Sequence, residues 1–451
     1  MVMQMKNLWI VLMLFLLGGC AVHDAKKSFL ESSKIADLER IPQDAAYFSK
    51  KIDDNVSLYE IQKNYNNMHF HIWNMQQPKE KLESIKWAFN TYRPSSSYGE
   101  NLQKLNQSFF DTMLENANFD AYGTLNAKGL TLRELNLRVF PTIRPLLRDP
   151  SLAGEGFPFD YLQNSTVHAN APIFISHYSK NREWAYVFAS FASGWVRAHE
   201  FVILEDTQKD FWQNRAQLAI VKEGEAIYDM DGNFLFSSKI GMVLPYVAQD
   251  ETSYTVAVAK AGVNGQKAVL IDTKIPKEIA TKEILPFSAD NLTKAISEVS
   301  KTNYGWGGMY EQRDCSSTLR DMFTPFGIWL PRNSYQQGRV GKIISLKDLD
   351  DEQKIKTIKE NAVPFQTILY KKGHVVLYVG TYENEIVVFH NVWGIKTKQD
   401  GIEGRIVIGK PIFSTLKIGK EQPYYVEEAG LLKTISSMNI ITSRNEAFTK
   451  K

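Results

Sequence analysis

The chain holds two cysteines, Cys20 and Cys315, and eight histidines, of which His374 and His390 stand out by their setting. A cysteine served by histidines is a pairing for acyl transfer: an imidazole takes the thiol proton and the sulfur attacks a carbonyl carbon. Cys315 lies in Arg313-Asp314-Cys315-Ser316-Ser317, and glycine-rich backbone, Tyr304-Gly-Trp-Gly-Gly308, leads into it. Behind it Leu319, Met322, Phe323 and Phe326 recur at three- and four-residue spacing, the stripe of a helix packed on a core. Asp314 is a suitable N-cap, which puts Cys315 in the first turn. The unpaired amides and positive dipole end there are expected to stabilise a thiolate and to serve a developing oxyanion. A lone cysteine is also commonly a small buried hydrophobe; the helix start and the glycine-rich approach are what favour a nucleophile.

The base is sought downstream. His374 opens the run His374-Val-Val-Leu-Tyr-Val-Gly380, and His390 ends Ile386-Val-Val-Phe-His390. Both are rich in β-branched and aromatic residues, and Gly380 to Glu385 reads as a hairpin loop. A hairpin symmetric about Tyr382 pairs positions that sum to 764, so His374 faces His390 on one side of the ladder, roughly 5 Å apart at Cβ. That side also carries Val376, Tyr378, Ile386 and Val388. A base and the group that orients it would then stand on a rigid strand pair. Loop type can shift this register by a residue or two.

Positioning such a set takes several domains. With 451 residues, 44% apolar and 12% aromatic, the chain is globular and too long for one core. A net charge of +3 without a basic stripe argues against nucleic-acid binding. Residues from about 30 to 150 look mainly helical, with periodic stretches at Leu82–Tyr92 and Leu102–Leu114, and Pro141–Pro150 form a connector. From Phe159 to Thr273 short β segments follow, among them Ala171–His177, Trp184–Phe188, Gly194–Val196, Leu218–Lys222 and Met242–Val247, with turn signals such as Asp231-Gly232. Two small barrels with a boundary near 213 fit this length. His69 and His71 stand two apart but lack a suitably spaced third ligand, so packing or solvent roles are expected for them.

At the N-terminus, Lys6 precedes an apolar run from Leu8 to Leu17, too short for a permanent span and suited to a secretory signal. Leu17-Gly18-Gly19-Cys20 resembles the lipobox of bacterial lipoproteins, which implies lipidation of Cys20 after cleavage. With Ala21 following, an outer-membrane anchor facing the periplasm is expected. Cys315 is then a thiol with no disulfide partner in its own chain.

The motifs Tyr304-Gly-Trp-Gly-Gly308, Asp314-Cys315-Ser316, Leu330-Pro331-Arg332-Asn333-Ser334, Gly373–Gly380 and His390 together resemble the NlpC family of bacterial cell-wall cysteine peptidases over roughly residues 286–430. The resemblance implies a circularly permuted, papain-like α+β domain that cuts the γ-D-glutamyl–diamino acid bond of peptidoglycan stem peptides. It gives Cys315 as nucleophile, His374 as base and His390 as its orienter. Tyr304, Asp314 and Ser316 become oxyanion or substrate-binding residues, and no metal or organic cofactor is implied. Many members carry Gly-Asp-Leu before the first histidine, where this chain has Lys371-Lys372-Gly373. The N-terminal part resembles the helical domain that accompanies one subset of the family, and Gly194-Trp195-Val196 resembles the ending of bacterial SH3-like modules.

The expected fold is therefore multidomain α+β. A signal peptide (1–20) is followed by a helical domain (21–155), two SH3-like β-barrels (156–213 and 214–284) and the catalytic domain (285–451). Asp160 and Tyr161, in the lead-in to the first barrel, either bind the free amine of a stem peptide or cap a turn. A monomer acting on stem peptides or muropeptides is expected. The alternatives are a non-catalytic wall-binding scaffold and an amidase or acyltransferase on the same fold.

Overall fold

The computed structural model describes residues 34–50, 52, 59–62 and 64–443; the signal segment and Cys20 lie outside them. Among the described residues no helix is long and apolar enough to cross a membrane.

The C-terminal domain is built on a six-stranded antiparallel sheet. Its strand order is Lys342–Ser345, Ile435–Ile440, Thr367–Lys371, His374–Tyr382, Glu385–Gln399 and Ile402–Thr415. Two helices, Ala289–Val299 and Cys315–Phe323, cover one face. Their apolar stripes, Leu292, Ile296 and Val299 with Leu319, Met322 and Phe323, pack on Val375, Leu377 and Phe389. Period-2 alternation sends Val376, Tyr378, Ile386 and Val388 into a second core on the opposite face, closed by Leu431 and Leu432. Both faces are thus buried, which is why the central strands read as continuous apolar runs.

Two further β units precede this domain. The first is a seven-stranded antiparallel sheet that includes Ala127–Thr131 and Leu135–Arg138. The helical character expected to about residue 150 therefore ends earlier, at Ala121. The period-2 signal of these two strands is short, and their partners lie far along the chain, from Gln163 to Ile203. The second unit is a five-stranded sheet with a separate hairpin, Ala226–Tyr228 and Phe234–Ser237, turning at Asp231-Gly232. A nine-residue helix, Asp206–Asn214, joins the two units across the position expected as a bare boundary.

The N-terminal part forms short helices, not long ones. Leu82–Tyr92 gives Leu82–Ile85 and Trp87–Thr91, broken at Lys86, and the longest helix here is Gln107–Asn116, capped by Asn106. The region divides its contacts between its neighbours. Asp37 accepts hydrogen bonds from the Thr415 amide and hydroxyl (2.6 and 2.9 Å), and Gln43 pairs in both directions with the Phe413 backbone. Trp73 instead donates to the Ile173 carbonyl of the first β unit (3.0 Å). His71 Nδ1 lies 2.8 Å from the Met68 carbonyl, and His69 stacks on Tyr65.

A buried ionic cluster joins the three β-bearing parts. Arg313 donates to Asp321 (2.7 Å) and to Glu223 of the second unit (2.9 Å), which also holds Lys239. His168 of the first unit lies between Glu134 (2.8 Å) and Asp321 (3.2 Å). Burial alone would lower the imidazole, but the two carboxylates override it and raise it from 6.5 to about 9.

Candidate active site

Cys315 is the first residue of its helix. The Asp314 carboxylate accepts from the Ser317 amide and the Ser317 hydroxyl answers the Asp314 amide, a reciprocal cap that fixes the helix start. Asp314 is held in turn by Arg332 through two bonds (3.0 and 2.7 Å). Arg332 also donates to Ser316 (2.9 Å) and to Ser165 of the first β unit (2.7 Å). Burial would raise the Asp314 carboxyl, but Arg332 and the Ser317 amide keep it below its usual range.

The histidines meet through a register unlike the symmetric one. Glu383 and Asn384 both have positive φ (47° and 65°) and form a two-residue turn between the paired Tyr382 and Glu385. Lys359 braces that turn on the Asn384 carbonyl and side chain. Pairs near the turn therefore sum to 767, an odd number that would put His374 and His390 on opposite faces. A bulge at Val379, beside Gly380 at φ 124°, lowers the sum to 766 and restores a common face. Continued to the strand end, this register sets His374 opposite Val392 and makes His390 its diagonal neighbour. The rings close the gap: His374 Nε2 and His390 Nδ1 are 2.9 Å apart.

Ser414, on the next strand, completes the relay. Its hydroxyl donates to the Thr415 carbonyl (3.1 Å), so it accepts from His390 Nε2 (2.9 Å). That assigns His390 Nδ1 as acceptor of the His374 Nε2 proton and leaves His374 Nδ1 with its lone pair. No sequence signal singled out Ser414; it becomes visible only through strand pairing, two residues beyond the Ile412 that faces His390.

The thiol is buried, and the backbone at Val375, the residue after His374, and at Ser316 favours its charged form. Those backbone groups do not dominate. Burial first, then the Asp314 charge, push Cys315 up from 9.0 to about 12. Burial and the Lys371 charge push His374 down from 6.5 to about 3, and burial with His374 and Lys371 lowers His390 as well. The expected stabilised thiolate is therefore replaced by a neutral thiol and a neutral imidazole, because burial outweighs the groups that favour the charged forms. Tyr304, half-buried with Cys315 and Asp314 near it, is raised well above 10 and keeps its proton as a donor.

The glycine-rich approach serves docking. A Cβ on Gly307 or Gly308, both at positive φ, would come within 2.7 Å of the Gln163 carbonyl or 2.5 Å of the Thr166 hydroxyl. The first β unit thus lies against the site, and Phe159 and Tyr161 meet Trp306 and Trp393 in edge contacts near Tyr304. Asp160 is buried with both oxygens engaged, by Arg138 (2.6 Å) and by the Leu146 and Leu162 amides. The Tyr161 hydroxyl donates to Glu155 (3.0 Å).

A cysteine at a helix start and a hydrogen-bonded histidine pair on an antiparallel sheet define the class, an α+β domain built like the papain-like cysteine hydrolases. The family of that domain follows from the sequence matches, which put an NlpC/P60 domain in the C-terminal part of the chain. Residues 301–400 match the NlpC/P60 family, and residues 9–122 match its N-terminal stabilising domain. Residues 145–197 match an SH3 domain of the SH3b1 type and 205–251 one of the SH3b2 type. An NlpC/P60 endopeptidase from Photobacterium damselae subsp. piscicida has the same fold, with TM-score 0.78 and 22% identity over 90% of this chain and 98% of that one. An NlpC/P60 family protein from Bacillus cereus aligns at TM-score 0.46 and 15% identity, over 70% of this chain and 100% of that one. No curated protein matches this sequence.

Proposed function

We propose that the protein is a peptidoglycan hydrolase that cuts the γ-D-glutamyl–diamino acid bond of stem peptides through a Cys315 thioester. The observation that carries this reading is the directed relay Thr415–Ser414–His390–His374, which leaves one unprotonated nitrogen on His374, the neighbour of the Val375 that packs in one core with Cys315. His374 Nδ1 takes the thiol proton as sulfur attacks the γ-carbonyl, so two costly isolated charges form together and neutralise each other. The Cys315 amide, with no intrahelical partner, and the Tyr304 hydroxyl donate to the oxyanion. His374 returns the proton to the leaving amine, and water activated by the same ring hydrolyses the thioester. On this reading Asp314 and Ser316, tied to Arg332, and Tyr161 beside Trp306 serve the acyl part of the substrate, and the first SH3-like unit suits fragments with a free N-terminus. By its lipobox, Cys20 carries the lipid and places the enzyme on the periplasmic face of the outer membrane.

The test is mass analysis of muropeptides digested by the purified protein, run beside intact sacculi. Cleavage inside the stem, after D-glutamate, is the expected result. Separation of sugar from peptide would make it an amidase, and binding without release would make it a scaffold.

A pH profile follows from the neutral pair. The active form carries His374 unprotonated, so kcat/KM rises as pH climbs through the His374 value. With that value pushed down toward 3, the acid limb is expected well below the 6.5 of an ordinary imidazole. With the thiol pushed up to about 12, the alkaline limb lies above 9.0. A limb centred near 6.5 in stopped assays of fragment release would contradict this.

A further inference from the structure

A cleft runs from Tyr304, His374 and His390 along the arm formed by the far halves of the two longest strands, Glu385–Gln399 and Ile402–Thr415. Three cations line it, Lys371, Lys396 and Arg405, and no aspartate or glutamate does. Lys396 is paired with Glu403. Lys371 and Arg405 have no carboxylate within salt-bridge distance among the described residues. The Lys371 ammonium meets only the Ala429 carbonyl (3.4 Å), and Arg405 the carbonyl of its neighbour Gly404 (2.8 Å). All three side chains are half-buried. Cations held in a recess without counter-charge are costly to keep, and a bound anion relieves that cost.

The position of the cleft says which part of the substrate enters it. Both histidines line it, but Cys315, Phe159 and Tyr161 do not. The leaving nitrogen takes its proton from His374, so the residue that departs lies on this side. We propose that Lys371 and Arg405 form a carboxylate subsite for the leaving diamino acid. This rests on the peptidase reading given above. The subsite makes the enzyme prefer a leaving residue whose carboxylates are free, and Arg405, with its planar fork, supplies the paired donors.

The test uses the full-length, detergent-solubilised protein and two synthetic peptides, L-Ala-γ-D-Glu-meso-diaminopimelate and its carboxyl-amidated form. Charge-assisted hydrogen bonds of this kind correspond to about 10- to 100-fold, so kcat/KM is expected to favour the free acid by that factor. In Lys371→Met/Arg405→Met the ratio should fall towards one, mainly through KM, and Arg405→Lys should retain part of it. A melting temperature matching the wild type separates this loss from misfolding. Equal rates on both peptides, or discrimination that survives in the double variant, would overturn the subsite alone. If neither peptide is cut, the peptidase reading fails and takes the subsite with it.

Discussion

Replacing Cys315 with alanine is expected to lower fragment release by at least ~10⁴-fold, with little change in stability. The thiol is the only atom lost, and alanine fits the first turn of a helix whose cap is made by Asp314 and Ser317. His374→Gln should fall to a similar floor. The double variant should fall no further, because nucleophile and base act as one unit and the residual rate comes from binding and the oxyanion donors. Release of γ-D-glutamyl product by each variant, measured by mass spectrometry against time, gives the comparison. A Cys315→Ala protein with wild-type activity would end the catalytic assignment. Additive losses in the double variant would instead point to a base that works without this thiol.

Arg313→Met is expected to have the largest effect on stability, about 3–5 kcal/mol. The guanidinium is buried and holds Asp321 of its own domain and Glu223 of the second SH3-like unit, with a further bond to the Ile240 carbonyl. Methionine of similar length leaves two carboxylates buried together, countered by Lys239, His168 and Arg320 alone. Arg313 also lies two residues before Cys315, and its carbonyl accepts from Asn391, so the loss reaches the nucleophile's backbone. Activity should drop along with the melting temperature. Arg313→Lys keeps the charge but not the fork, and is expected to recover only part of either. Thermal unfolding followed by circular dichroism measures both, and a variant as stable as the wild type would show that the cluster contributes nothing net.

The local features of the site were readable because they depend on neighbours in the chain. Asp314 caps the helix and Cys315 begins it, as three- and four-residue spacing implied. The β-branched runs around His374 and His390 are strands, and those two rings do meet. Their register was not readable. Glu383-Asn384 lacks the Asn-Gly signature of a tight turn, and it adopts that turn with Lys359 bracing it from a distant helix. The thiol's acidity was misjudged because helix-end electrostatics are local, whereas burial depends on everything packed around the sulfur. Lys371-Lys372-Gly373 looked like a departure from the family pattern, and its first residue turns out to line the cleft beside the histidines.

Spacing along the chain therefore suffices for the Cys315 helix, the histidine strands and the change from helical to β-rich sequence. Each is encoded at short range, in caps, period-2 and period-3.6 patterns and turn residues. Tertiary structure alone decides that one bulged residue at Val379 gives His374 and His390 a common face. It alone brings Ser414 behind His390 and ties Arg332 to both Asp314 and Ser165. These contacts join residues tens to hundreds of positions apart, and a one-residue change in register inverts a face without altering the local pattern.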